Sequence, residues 1–175
     1  CAVRFAADHG FISNPSDITF TNAEVEYRAR LTERGVLVQF PPPRRIALHQ
    51  SFRLFGASHP YHFVDVGTPH AILFMEDLAS ESPNRLSQLD LARWGAEVRN
   101  HEAFRPGGAN ANFVEVRGDR AGVLLRTFER GVEAETGACG TGAIATAMVA
   151  ATLHGLDAPV RVTTTSGATL YVGFT

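Results

Sequence analysis

The apolar run at positions 143–153 restricts the fold more than any other stretch of the chain. It has almost no polar face, so a helix formed there must be buried on all sides. The remaining elements therefore have to wrap around it. Ahead of it stands Glu135-Thr136-Gly137-Ala138-Cys139-Gly140-Thr141-Gly142, and His154-Gly155 follows. Gly155 suits the left-handed position that closes a helix. A cysteine thus sits between small residues where a loop becomes a buried helix. The first turn then offers a thiol and three unpaired N–H groups, which together with the helix dipole favour a carboxylate or phosphate. The same field predicts a thiol pKa below the free value of about 8.5. On this stretch alone, a small buried core cysteine at a tight turn is an equally good reading.

The 175 residues carry a formal charge of −2, with 45% hydrophobic and 19% charged positions, enough for one sizeable core or two small ones. Near-neutral charge without a basic stripe argues against nucleic acid as a partner. No apolar run reaches the roughly 18 residues of a membrane span, and nothing reads as a signal peptide. Two cysteines far apart make no disulfide framework, so a cytoplasmic setting is expected. Cys1-Ala2-Val3-Arg4-Phe5-Ala6-Ala7-Asp8-His9-Gly10 reads as the later part of a helix with its cap, and 168–175 stops in mid-strand. The expectation is a fragment cut at both ends.

Alternation predicts strands at 17–21 and 23–31 with Thr21-Asn22 as their turn, and others at 34–40 and 46–55. Pro41-Pro42-Pro43-Arg44-Arg45 reads as a stiff turn, and Gly56-Ala57-Ser58-His59-Pro60 as an inter-domain crossing. Strands are also expected at 61–66 and 71–74, split by Gly67-Thr68-Pro69-His70. A helix is expected at 86–98, and strands at 112–116 and 123–128 around Arg117-Gly118-Asp119-Arg120. His59 and His62 with Asp65 make a poor metal pattern, because strand alternation parts them and further ligands are lacking. Two segments match in order: helix, His9-Gly10, strand, polar turn, strand; and helix, His154-Gly155, strand, polar turn, strand. That suggests a duplicated unit. Cys139 opens its helix well ahead of its His-Gly pair, whereas Cys1 stands close to His9-Gly10, so Cys1 is not read as its counterpart.

One thiolate at a helix end could serve a hydrolase, an oxidoreductase or a proton transfer. Two, offered by facing copies of one unit, fit inversion of a carbon centre: a base on one face, an acid on the other. The helix ends would hold the attached carboxylate as charge builds, and no metal or organic cofactor is required.

Several motifs carry a resemblance that spans essentially the whole chain. Glu129-Arg130-Gly131-Val132 with Glu135-Thr136-Gly137-Ala138-Cys139-Gly140-Thr141-Gly142, Val66-Gly67-Thr68-Pro69-His70, Asn110-Ala111-Asn112-Phe113-Val114-Glu115-Val116 and Cys1-Ala2-Val3-Arg4-Phe5 resemble segments of the diaminopimelate epimerase family. These are cofactor-independent, two-cysteine isomerases of bacterial lysine and cell-wall synthesis. The resemblance implies an α+β fold of two pseudo-symmetric halves, each a β-barrel around a central helix, with the first half incomplete here. Residues 1–58 would be the remnant of the first half and 59–175 the second. It implies that Cys139 is one of two acid/base cysteines, with His70 and Glu129 beside the thiols and against the substrate. Gly140 and Thr141 would bind the reacting carboxylate, and Thr68, Asn110 and Arg130 the distal end of the amino-acid substrate. Dimerisation is common in such enzymes, which leaves a homodimer open.

Three departures stand out. Position 68 is Thr where the family has Asn; Glu133 is an extra residue before Cys139; and the partner cysteine is missing, so the isolated chain is expected not to epimerise. Taken singly, His70 reads as a structural histidine, Glu129 and Arg130 as a surface ion pair, Asn110 and Thr68 as turn residues, and Gly140 and Thr141 as helix punctuation. The alternatives are another amino-acid racemase of the same fold, a cysteine hydrolase using Cys139, His70 and Asn110, and a non-catalytic carboxylate-binding module.

Overall fold

The computed structural model describes residues 2–22, 24–78 and 85–174. Cys1 and Ala23, to which the sequence assigned a helix and a strand start, lie outside the described residues. By backbone contacts the chain divides into Cys1–Pro42 and Pro43–Thr175.

In the smaller unit, helix α1 (Ala2–Asp8) is followed by strands β1 (Ile18–Asn22), β2 (Val25–Thr32) and β3 (Gly35–Gln39), antiparallel in the order β1-β2-β3. Val3, Ile18 and Ala29 are its buried apolar residues. The first turn falls later than Thr21-Asn22: Asn22 pairs with Val25, and Glu24 takes the positive φ of 65° that the tight reversal needs.

The larger unit begins with β4 (Arg45–Leu54) and β5 (Ala57–Asp65), which pair antiparallel from Arg45–Asp65 to Leu54–Ala57. Phe55 and Gly56, with φ of 51° and 91°, make the two-residue turn between them. The stretch read as an inter-domain crossing at 56–60 is therefore the turn and opening residues of a hairpin strand. Strands β6 (Pro69–Phe74), β7 (Asn110–Val116), β8 (Val123–Glu129), β9 (Ala134–Thr136), β10 (Val160–Thr164) and β11 (Thr169–Val172) complete the set. Among the described residues they form an eight-stranded sheet in the order β11-β10-β8-β7-β6-β5-β4, with β9 also on β8.

Two parallel pairs, β6 with β7 and β8 with β10, require crossovers, and each crossover carries a helix. Helix α2 (Leu91–Asn100) joins β6 to β7; helix α3 (Gly140–His154) lies between β8 and β10. The two helices cover opposite faces. Trp94 and Val98 of α2 pack with Leu73, Phe113 and Phe128. Ala143, Ala147 and Val149 of α3 pack with Ile72, Val114 and Leu125. As its composition requires, α3 contacts β5, β6, β7, β8, β10 and β11. The helix expected at 86–98 is broken: Leu86–Gln88 form a 3-10 turn, and the Asp90 carboxylate caps α2 by accepting from Arg93 N–H at 3.2 Å.

The repeated order is visible locally in both units. Gly10 and Gly155 close α1 and α3 with φ of 74° and 63°, and an antiparallel hairpin follows each.

Candidate active site

Three neighbouring strands turn polar at one end of the α3 face. Period-two alternation sends His70 of β6, Asn110 and Asn112 of β7, and Thr127 and Glu129 of β8 to that side. The loop before α3 is held against the sheet by a bidentate pair, Arg126 to Glu135, at 2.8 and 2.7 Å. Arg126 also donates to the Leu86 and Leu89 carbonyls, and Ser166 N–H donates to Gly137 O at 3.0 Å. These contacts aim Cys139 at the polar end of the strands.

Cys139 is the N-cap of α3, with extended φ of −119° and only 6% exposure. Its sulfur lies 3.6 Å from the Thr141 hydroxyl. The Thr141 oxygen accepts from the Thr68 hydroxyl at 3.3 Å, and Thr68 Oγ1 lies 3.0 Å from His70 Nε2. His70 is fully buried, with Nδ1 3.1 Å from the Asn112 amide nitrogen. That nitrogen also donates to the Ala71 and Asn110 carbonyls, while Asn112 Oδ1 accepts from the Thr127 hydroxyl at 3.0 Å.

The structure corrects the expected thiol acidity. Burial pushes the Cys139 thiol above its ordinary pKa. The Thr141 hydroxyl and the N–H groups of Gly142 and Thr141 pull it down; the Glu129 charge raises it further. Helix-end donors are present, but desolvation outweighs them, so the resting group is the thiol. Burial likewise lowers the His70 pKa to about 3, and the Arg130 charge adds to the shift. His70 is therefore neutral at physiological pH.

Cys139, His70, Thr68 and Thr141 are thus one connected cluster, and the charge of Glu129 reaches it. Asn110 is adjacent but turned to the backbone: it accepts from Arg130 N–H at 2.8 Å and donates to Pro69 O. Arg130 is half-buried and lines a groove with Arg45, Tyr61, Phe63 and Phe104. Gly140 is exposed at the helix start. Glu133 adopts φ of 58° and folds its carboxylate back to accept from Gly131 N–H and Arg99. That seats the loop carrying Arg130. His59 and His62 fall on opposite faces of β5, one against Trp94 and the other against Phe74.

Asn112 and Thr127 received no role from sequence. Their signal was available: each is polar at an inward position of a strand whose neighbouring inward residues, Val114 and Leu125, are apolar.

A family model described as diaminopimelate epimerase matches residues 62–171. The chain belongs to the diaminopimelate epimerase family. It is 38% identical over 178 residues to the diaminopimelate epimerase of Chlorobaculum tepidum, covering 99% of this chain and 63% of that protein. The corresponding enzyme of Aquifex aeolicus is 36% identical, covering 99% of this chain and 59% of its own length. That of Chlamydia muridarum is 38% identical over 102 residues, covering 58% of this chain and 35% of the relative. The chain thus spans about three fifths of the two longer-matching members of the family. Among the described residues, no helix is long and apolar enough to cross a membrane.

Proposed function

We propose that this chain carries one of the two proton-transfer groups of an epimerase that interconverts LL- and meso-2,6-diaminopimelate in lysine and peptidoglycan biosynthesis. The observation that carries the reading is Cys139 at the start of α3, linked through Thr141 and Thr68 to a neutral, buried His70 in a chain of this family. Cys139, resting as a thiol, delivers a proton to one face of the α-carbon; in the reverse direction its thiolate removes one. His70 and Glu129 tune that exchange. The Gly140 N–H and the Thr141 hydroxyl bind the reacting carboxylate and stabilise the charge that develops as the carbon loses its proton. Asn110 and Arg130 hold the distal end, where a guanidinium can make a two-bond contact with a carboxylate.

The opposite base is a second cysteine, supplied by the part of the relatives' length that this chain does not span. On this reading the 175-residue chain alone does not epimerise. A cysteine hydrolase is the weaker reading, because its imidazole would have to touch the sulfur, and here two threonine hydroxyls stand between His70 and Cys139.

The test is exchange of the α-hydrogen of diaminopimelate with deuterated solvent, in a polypeptide joining this chain to the rest of a relative's length. Cys139→Ala is expected to lower exchange by about 10²–10⁴-fold. Unchanged exchange, or a trapped acyl-thioester on Cys139, would reject the epimerase reading.

A further inference from the structure

We infer that Asn112 and Thr68 are positioning residues: together they orient a one-way series of hydrogen bonds, Asn112 to His70 to Thr68 to Thr141, that ends by donating to the sulfur of Cys139. The inference rests on the reading of Cys139 as the proton-transfer group, and adds what holds that group in its working state.

The direction follows from donor and acceptor counting. The Asn112 amide is fixed in orientation, because its nitrogen meets the carbonyls of Ala71 and Asn110, which can only accept. The Thr127 hydroxyl donates to the amide oxygen from the other side. The Asn112 nitrogen has two N–H for three acceptors, so one is shared between two of them; it has no lone pair with which to accept, and His70 Nδ1, 3.1 Å away, therefore faces it as an acceptor. The neutral imidazole then carries its proton on Nε2. That N–H donates to Thr68 Oγ1 at 3.0 Å, which leaves the Thr68 hydroxyl hydrogen for Thr141 Oγ1 at 3.3 Å. Thr141, having accepted, turns its own hydrogen to Cys139 Sγ at 3.6 Å. Each member is polarised by the one before it, in a site where Asn112 and His70 are fully buried.

The series favours the thiolate against desolvation and against Glu129, the charged group that opposes ionisation of the sulfur; Arg130 is the charge facing His70. No proton travels along it. The hydrogen bonds only bias the sulfur between its two forms. Thr68 accordingly serves the thiol, its hydroxyl being committed inward to His70 and Thr141.

Two measurements on the 175-residue chain test this without substrate. In wild type, two-bond proton–nitrogen NMR correlations of His70 at neutral pH are expected to show the Nε2–H form; an Nδ1–H form would overturn the inference. Separately, the pH dependence of alkylation at Cys139 is followed by mass spectrometry of its peptide. Thr68→Val, which keeps the shape and removes the hydroxyl, is expected to lower the thiolate fraction about three- to tenfold at a given pH. Thr68→Ser should restore it. Equal midpoints for wild type and Thr68→Val would overturn the inference, as would a Thr68→Ser midpoint matching the Val variant. Should Thr68→Val fail to fold, the wild-type tautomer still decides. Solvent α-exchange reads the epimerase assignment alone, so either idea can fail while the other stands.

Discussion

Strand β7 buries Phe113 against α2 and, one residue earlier, Asn112 against the first turn of α3. The α2 face sets aromatic rings among its aliphatic residues: Phe52, Tyr61, Trp94, Phe104, Phe113 and Phe128 pack together there, several ring to edge. The α3 face uses Ala143, Ala145, Ala147 and Ala150, small enough for a helix to approach within reach of a polar strand end. Large rings on one side bury area, which is what stabilises. Small residues on the other give up area and gain an exact placement of Cys139 over His70, Asn112 and Thr141. One face therefore holds the sheet together while the other carries the chemistry.

The largest expected separation comes from Phe113→Ala. Removing a fully buried ring from the α2 face is expected to cost about 3–5 kcal/mol in urea unfolding followed by Trp94 fluorescence. The pH dependence of Cys139 alkylation in the native state should not move. If it moves as far as in Thr68→Val, the faces are not separable.

A matched pair of helix glycines sharpens the contrast. A Cβ on Gly95 would collide with the Phe128 side chain; one on Gly142 would meet Asn112 Oδ1 at 2.6 Å and Cys139 Sγ at 3.3 Å. Both alanine variants overpack, at about 1–3 kcal/mol, partly offset by the roughly 1 kcal/mol by which alanine is the better helix former. Gly142→Ala alone is expected to slow Cys139 alkylation, because it displaces the Asn112 amide that fixes the His70 tautomer. Equal alkylation rates in the two variants would count against that link.

How far each face could be read from sequence differs for physical reasons. Helix α3 was legible at both ends, because an all-apolar run bounded by a glycine-flanked cysteine and by His154-Gly155 leaves little choice of start and stop. The strands of the larger sheet were legible by alternation, as at β7 and β8. The break at Leu89-Asp90 was not, since Leu86, Leu89, Trp94 and Val98 keep helical spacing across it and the Asp90 cap decides. The short strand β9 escaped because its three residues show too little alternation to stand out beside the turn that joins it to β8, and Phe55-Gly56 concealed a hairpin that only pairing with β5 reveals. Within the site, the residue types of Cys139, His70 and Thr141 were legible. The sign of the thiol shift was not: sequence displays the helix-end donors but not the depth of burial that outweighs them. Asn112 lay inside a recognised motif, and its orientation is set by two backbone carbonyls that no motif contains.

Acid should loosen the α3 face before the α2 face, by an effect that is small at each pH step. Two histidines on that side are held neutral by fixed donors: His70 Nδ1 accepts from Asn112, and His62 Nδ1 accepts from His49 N–H at 3.1 Å. Burial lowers His70 to about 3; burial and the neighbouring His49 and His154 lower His62 to about 4. Between the unfolded value near 6.5 and these folded values, the unfolded chain binds protons that the native chain refuses. The stabilisation is complete above pH 6.5 and is lost as pH falls, approaching about 1.4 kcal/mol per pH unit for each histidine. Glu135, lowered mainly by its bond to Arg126, joins only below its ordinary value near 4.5; Asp77, raised by burial, acts in the opposite sense there. The window from 6.5 to 4.5 thus belongs to the histidines. His62→Gln keeps an acceptor for the His49 N–H but cannot titrate, so it should remove about half of the slope in urea midpoints across that window. A wild-type midpoint that stays flat from pH 6.5 to 4.5 would mean that neither imidazole is held neutral by the α3 face, and the contrast between the two faces would lose its electrostatic half.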